Sequence, residues 1–282
     1  MLKLMNSTYA LMRPIITLLT DFGYESYFVP SMKGVILSLN PNAVIIDITH
    51  AIPQFNVYKA AFTLWASYKY FPRGGTIHVV VVDPGGVGTS RRAIAVKTRN
   101  YYFVGPDNGV LMMAAEDDGI VEIRAIENRE FMRPVVSSTF HGRDVFAPVA
   151  AYLSLGLDIS LLGGPRVTDP VKLQGITSRV SRGFANSAIV YIDHFGNAYT
   201  GIREGELKIL GLEYGDELRV VIPRRNVDLR VRFLRSYGYA NEGEALALIN
   251  SEGFLELSIN RGSFAQRFGV EEGDEVEISV IK

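Results

Sequence analysis

Apolar residues take two textures along the chain. In the first half, short unbroken apolar runs alternate with stretches whose apolar positions recur at helical spacing. Ile15-Ile16-Thr17-Leu18-Leu19-Thr20, Val44-Ile45-Ile46-Asp47-Ile48 and Val79-Val80-Val81-Val82 are the runs. Such a run reads as a strand covered on both faces, the mark of a central parallel strand. Between them, Ser31 to Leu39, starting near Tyr27, and Asn56 to Tyr70 predict helices. The second carries Val57, Ala60, Ala61, Leu64, Trp65 and Tyr68 on one side, and Pro41-Asn42 closes the first. Further on, Arg92 to Val96 and Tyr101 to Val104 predict two strands joined by a turn through Asn100. Val110 to Glu116 predicts a helix, Val121 to Ile126 a strand, and Phe146 to Leu155 a helix stopped by Gly156. Strand and helix alternate throughout. That predicts an α/β N-terminal domain with a mostly parallel sheet over residues 12–165, preceded by a disordered lead-in at residues 1–11.

The texture changes between Gly163 and Gly183, where Pro165, Pro170 and Gly175 mark a linker, placed at residues 166–183. Over residues 184–282 the pattern is short strands separated by turns. Ser187 to Ile192, Leu218 to Ile222, Ala245 to Ile249, Phe254 to Ile259 and Glu275 to Ile281 are strands. Val227, Leu229, Val231 and Phe233 alternate with Asp228, Arg230 and Arg232, so that strand is half exposed. These predict a smaller C-terminal antiparallel β-barrel. A chain of 282 residues exceeds the size at which one core comfortably grows, which also favours two domains.

Composition narrows the function classes. Charged residues at 21% and apolar residues at 48% give a globular balance. A net charge of −1 supplies no overall field for nucleic acid or a membrane surface. The absence of cysteine excludes disulfides, thiolate metal sites and a cysteine nucleophile. The apolar run Ile15 to Leu19 is too short for a signal-peptide core or a membrane span, so the chain reads as cytoplasmic.

Candidate chemistry sits where the strands end. Asp21-Phe22-Gly23 follows the first strand, and Asp83-Pro84-Gly85-Gly86, with Arg91-Arg92 beyond it, follows the four-valine strand. In open α/β sheets ligands bind at that edge. Gly105-Pro106-Asp107-Asn108-Gly109 is a loop. Ser138-Thr139-Phe140-His141-Gly142-Arg143-Asp144 gathers titratable groups just before a helix, where backbone N–H groups point outward. Asp193-His194-Phe195-Gly196-Asn197 pairs a ring with a carboxylate and an amide, and Asn250-Ser251-Glu252-Gly253 is a turn between strands. Each has a plainer reading: a helix cap at Asp21, a simple turn at Asp83, a local ion pair at Arg143-Asp144, a hairpin turn at Asp193 to Asn197. His50 and His78 read as structural, and the spacing of Asp47 and His50 is poor support for a metal site. Arg224-Arg225, Arg230, Arg232 and Arg235 read as a solvated strand face rather than a nucleic-acid surface. Gly86 to Ser90 lacks the Gly-Lys-Ser/Thr ending of a phosphate-binding loop.

Taken in order, Thr20-Asp21-Phe22-Gly23, Val82-Asp83-Pro84-Gly85 with Val87-Gly88-Thr89 and Arg91-Arg92, Gly105 to Gly109, Thr139 to Asp144, and Asp193 with Phe195-Gly196-Asn197 resemble one family. It is the S-adenosylmethionine hydroxide adenosyltransferases, the adenosine-forming S-adenosylmethionine hydrolases, which are relatives of the fluorinase and chlorinase enzymes. The resemblance runs from about Ile15 to the C-terminus. It implies an N-terminal α/β domain, a C-terminal β-barrel, and a homotrimer with active sites between subunits. It implies S-adenosylmethionine as substrate, with water giving adenosine and methionine, and neither cofactor nor metal. By motif, Asp21 would hold the ribose hydroxyls, and Asp83, Arg91 and His141 would surround the attacking water. Phe55 and Phe140 would flank the nucleoside. Asp193, Phe195 and Asn197, with Ser251 and Glu252, would meet adenine or the methionine portion from the neighbouring subunit. One feature departs from the family pattern, which has a single Gly between Pro84 and Val87. Here Gly85-Gly86 moves Arg91 one residue further from Asp83. A bulged Gly absorbs the insertion; otherwise Arg92 takes the position.

The chemistry suits such residues. A sulfonium carbon expels a neutral thioether, so no acid is needed at the leaving group. It needs an in-line nucleophile, and charge cancels as hydroxide attacks, so a poorly solvating pocket favours reaction. Positioning the water removes part of the entropic barrier. An arginine beside the water lowers its pKa, while Asp83 or His141 accepts the proton. Two other readings predict different products: halide-dependent 5′-halogenation of the same substrate, and a non-catalytic module that binds S-adenosylmethionine or adenosine without turnover.

Overall fold

The computed structural model describes residues 13–86, 91–173 and 178–281. The expected lead-in at residues 1–11 lies outside them. The chain divides into two compact units after Leu173.

The first unit is built on one sheet. Its strands are β1 (Ile15–Thr20), β2 (Val44–Thr49), β3 (Thr76–Val81), β4 (Ala93–Thr98), β5 (Tyr102–Pro106), β6 (Ile120–Ile126) and β7 (Gly163–Arg166), in the spatial order β2-β1-β3-β5-β4-β6-β7. β2, β1, β3 and β5 run parallel; β4, β6 and β7 add antiparallel pairs. β1, β2 and β3 run parallel because they are joined by helices long enough to cross back over the sheet, and β5 reaches its parallel place beside β3 by way of β4. Those helices are α1 (Phe28–Leu39) and α2 (Val57–Tyr68). β4 and β5 are joined by a short turn at Arg99 to Tyr101, which allows only an antiparallel return. α3 (Met112–Asp118) follows, and a π-turn at Gly142–Phe146 leads into α4 (Ala147–Ser154).

The four-valine strand is central and buried along its whole length. On one face, Ile16, Leu18, Ile77, Val79 and Val81 join Met32 and Ile36 of α1 and Val149 and Leu153 of α4 in one core. On the other, His78 lies among Tyr68, Phe71, Tyr101 and Phe103 and meets Thr17 Oγ1 through Nδ1 at 2.8 Å. Burial pushes its pKa down to about 3, so it is a neutral core residue.

The second unit is a barrel. Its strands are β8 (Arg179–Ser181), β9 (Phe184–Ile192), β10 (Ala198–Arg203), β11 (Glu217–Ile222), β12 (Val227–Phe233), β13 (Ala245–Ile249), β14 (Phe254–Ile259) and β15 (Glu275–Ile281). The order β10-β14-β13-β12-β11-β15-β9 closes through a β9–β10 pairing, with β8 at the edge beside β9. The β12–β13 pair is parallel, so the closed barrel is mixed where alternation alone predicts antiparallel pairing throughout. β8 falls inside the stretch read as linker, of which residues 174–177 are not described. The alternation in β12 is real: Val227, Val231 and Phe233 enter the core. Its charged residues stay outside and find ion-pair partners beyond the strand, Asp228 with Arg219 and Arg230 with Glu217, both of β11, and Arg232 with Glu244. That is a solvated strand face.

Candidate active site

Asp21 follows β1 directly, and Asp83 follows β3 after Val82. Because β1 and β3 are adjacent and parallel, both carboxylates emerge at the same sheet edge. Asn108 fixes the second exit by donating from Nδ2 to the Val82 carbonyl at 2.8 Å. Phe140 and His141 come to the same place from the far end of the unit, on the segment that enters the π-turn. A π-turn at the start of a helix is a recurrent way of aiming side chains at a site.

Asp21, Phe55, Asp83, Phe140 and His141 line one cavity of about 400 Å³, with Phe22, Phe28, Gln54, Val81, Thr139 and Phe146 among the other walls. Phe140 is held by edge contacts to Phe22 and Phe28 at 5.9 and 4.9 Å between ring centroids. Phe55 has a positive φ of 65°, a strained setting for a bulky side chain, and its N–H donates to Asp21 Oδ2 at 2.9 Å. That bond orients the carboxylate from one side and leaves its remaining acceptor capacity toward the cavity.

The extra glycine leaves Arg91 on Asp83. Arg91 Nε donates to Asp83 Oδ1 at 3.2 Å, and its NH2 group donates to Oδ2. Gly86 adopts a φ of 59° and closes a turn by donating to the Asp83 carbonyl at 3.0 Å, a conformation that glycine takes without strain. Arg92 points elsewhere: it holds Asp107, Asp169 and the Asp169 carbonyl. The Asp83–Arg91 pair is nearly enclosed, with side-chain exposures of 12% and 9%. His141 has its pKa held below the ordinary value by burial, and the Arg91 charge pushes the same way against Asp83 and Asp144. The imidazole is therefore neutral at neutral pH and able to accept a proton.

In the barrel unit, Asp193, Phe195 and Asn197 line a second cavity of about 540 Å³ with Tyr237, Ile259, Arg261 and Gly262. The segment is a hairpin turn between β9 and β10, as its plainer reading had it, and a cavity wall as well. Asp193 accepts from the N–H groups of Phe195 and Asn197 and from Asn197 Nδ2, each at 2.9 Å. Ser251 and Glu252 lie in the β13–β14 turn, outside the residues that line this cavity. Tyr237, Ile259, Arg261 and Gly262 escape a sequence reading because barrel closure, not spacing, brings them to Asp193; beneath them the buried Glu256 takes 2.6 Å hydrogen bonds from Tyr237 and Ser258. Gly196 has a φ of 82°, and an added Cβ would stand 1.9 Å from Ser263 Oγ. Gly196→Ala is therefore expected to displace the adjacent Asn197 and to lower the melting temperature by several degrees, about 2 kcal/mol of stability, read by a thermal melt of both proteins.

Fold and cavities define the class: a two-domain protein with a carboxylate–arginine pair and a neutral imidazole at the aromatic-walled edge of an α/β sheet, joined to a mixed β-barrel. Family models for the SAM hydroxide adenosyltransferase N-terminal and C-terminal domains match residues 16–163 and 187–277. The chain belongs to the SAM hydroxide adenosyltransferase family. A protein of Methanocaldococcus jannaschii named (R)-S-adenosyl-L-methionine hydrolase is 38% identical over 274 residues, covering 94% of this chain and 95% of that one. One of Salinispora tropica with the same name is 36% identical, covering 94% and 98%. The crystal structure of an uncharacterized conserved protein from Thermotoga maritima matches with a TM-score of 0.87 at 42% identity, covering 94% of this chain and 99% of that one. Fluorinases also match, at 24% to 26% identity. Among the described residues, no helix is long and apolar enough to cross a membrane.

Proposed function

We propose that this protein is an S-adenosylmethionine hydrolase that forms adenosine and methionine by attack of an activated water on C5′. One observation carries the reading. A bidentate Asp83–Arg91 pair and a neutral His141 share the cavity region that also presents Asp21 between aromatic walls. Asp21 takes the two ribose hydroxyls, since one carboxylate can accept from both. Phe55 and Phe140 flank the nucleoside. Arg91 lowers the pKa of the attacking water, and Asp83 fixes the guanidinium. A carboxylate engaged by two arginine N–H groups is a poor base, so His141 takes the proton and Asp83 positions. The C5′–S bond breaks as the C5′–O bond forms, and methionine leaves as a neutral thioether. Asp193, Phe195 and Asn197 meet adenine or the methionine portion; Ser251 and Glu252 belong to the proposal on family resemblance alone. The same resemblance supplies a homotrimer, each site completed by a neighbouring subunit, and a cytoplasmic, cofactor-free enzyme.

The names of the relatives favour the (R)-sulfonium epimer as substrate. The halogenase reading is weaker, because the fluorinase matches are the more distant ones and a halide needs no base such as His141. The test is incubation of the purified protein with each epimer, with and without chloride or fluoride, and chromatographic identification of products. Adenosine plus methionine, independent of halide, is the expected result. A halogenated adenosine would establish the second reading, and saturable binding without product at high enzyme would sink both.

The proton acceptor has its own signature. With His141 as base, kcat falls as pH drops through a pKa below 6.5, because protonation removes the acceptor. His141→Gln is expected to lower kcat by about a hundredfold or more and to abolish that acid limb. An acid limb that survives in His141→Gln would transfer the role to Asp83.

A further inference from the structure

His50 lies outside the cavity lining, yet it contacts the residues around Asp21 on both sides. It follows β2 and is fully buried. Its Nδ1 lies 2.8 Å from Oγ1 of Thr20, which is also fully buried. Thr20 Oγ1 in turn accepts from the Phe22 N–H at 3.2 Å. The His50 carbonyl accepts from the Gly23 N–H at 2.8 Å, and the His50 N–H donates to the Tyr24 hydroxyl at 3.4 Å. The two rings meet edge to face at 5.3 Å. Residues 20, 23 and 24 are thus tied to His50 directly and residue 22 through Thr20, and Asp21, which lines the cavity beside Phe22, stands between them.

The far side of the ring is braced as well. His50 Nε2 stands 3.1 Å from Asp47 Oδ1, an electrostatic contact rather than a straight hydrogen bond. Lys33 Nζ holds the other Asp47 oxygen at 2.6 Å. Polarity runs one way through the set. The Phe22 N–H occupies the Thr20 oxygen, so the Thr20 proton is free to point at Nδ1. That leaves the ring proton on Nε2, toward Asp47. Carboxylate, imidazole and hydroxyl follow the order of a hydrolase triad. Here the hydroxyl is buried and lines no cavity, so the array is built to hold a loop and not to attack a substrate.

We propose that His50, backed by Asp47 and acting through Thr20, is the positioning residue that aims the Asp21 carboxylate at the ribose diol. This rests on the reading of Asp21 given above. The test uses the full chain and two ligands, adenosine and 2′,3′-dideoxyadenosine, titrated calorimetrically into wild type, Thr20→Val, Thr20→Ser and His50→Gln. Wild type is expected to prefer adenosine by about a hundredfold, the effect of two charge-assisted hydrogen bonds. Thr20→Val and His50→Gln are expected to weaken adenosine binding about tenfold and to leave dideoxyadenosine within about twofold, while Thr20→Ser binds both as wild type does. Thr20→Val is nearly isosteric and serves if His50→Gln does not fold. Equal losses for both ligands, or no loss, would overturn the proposal and leave the reading of Asp21 standing. A wild type that binds both ligands alike would overturn Asp21's role, and this proposal with it.

Discussion

Arg91→Leu is expected to lower kcat by about a thousandfold while changing KM only a few-fold. The expectation follows from where the guanidinium sits. It binds both Asp83 oxygens, the pair is almost enclosed, and its positive charge also acts on His141. Removing it leaves the nearly enclosed Asp83 carboxylate without its partner and, in the proposed mechanism, removes the charge that makes the attacking water acidic. Arg91→Lys keeps the charge and loses the planar fork, so its loss is expected to be smaller, about tenfold to a hundredfold. A second effect separates this account from simple damage. Arg91 is one of the causes that hold the His141 pKa down. Without it that pKa rises, so the acid limb of the residual activity moves up toward pH 6.5. Arg92→Leu is the control, because Arg92 holds Asp107 and Asp169. Its kcat is expected within a few-fold of wild type. Initial rates of adenosine release across pH 5 to 9 check all three. A kcat for Arg91→Leu within tenfold of wild type would remove Arg91 from the chemistry.

The strands that bury an unbroken apolar run or alternate strictly were legible in the sequence to the residue or nearly so. β1, β13, β14 and β15 have the bounds that the pattern predicts. β7 reads Gly-Gly-Pro-Arg and β8 is three residues long, so neither buries enough side chain to leave a signal. β10 carries a Gly at position 201 in its interior, which masks its alternation. Strand direction was legible where a helix or a tight turn joined the strands, as at β1–β2 and β4–β5. The parallel β12–β13 pair forms across the segment that holds Tyr237 to Tyr239, and no local pattern announces it. At the site, carboxylates placed just past strand ends were readable because the sheet edge is a generic binding place. Tyr237 and Arg261 were not, because barrel closure brings them to the cavity of Asp193, nor was Glu256, which is buried against Tyr237. His50 read as structural from its lack of a glycine-rich turn. The structure gives that buried histidine a location directly behind Asp21.

Asp144→Asn is expected to cost about 3 kcal/mol of stability at neutral pH, a loss of about 10 °C in Tm for a unit of this size. Asp144 is fully buried one turn from the cavity. It accepts from Arg143 Nε at 2.7 Å and NH2 at 2.9 Å, from Arg133 NH1 at 3.2 Å and from the Ser137 N–H at 2.9 Å. Its backbone adds two ties, donating to the Phe140 carbonyl and accepting from the Arg133 N–H. One side chain thus fixes the whole entry of the segment that carries Phe140 and His141. Burial alone would raise its pKa; the hydrogen bonds from Arg143 and Ser137 more than reverse that and hold it well below the ordinary carboxylate range. The sign for pH follows. A depressed folded pKa contributes stability that is present above the unfolded value, near 3.9, and is lost as pH falls toward the folded one. The asparagine variant lacks that contribution at every pH. Its deficit against wild type should therefore shrink by about 1 kcal/mol between pH 7 and pH 3, and not grow. Urea melts of both proteins at the two pH values read this directly, and a deficit that stays constant or widens in acid would show that the Asp144 charge is not what holds the segment. Because the same bonds place His141, residual activity in Asp144→Asn should fall with temperature well before wild type does, and with the Asp144 charge gone the acid limb set by His141 should move to lower pH.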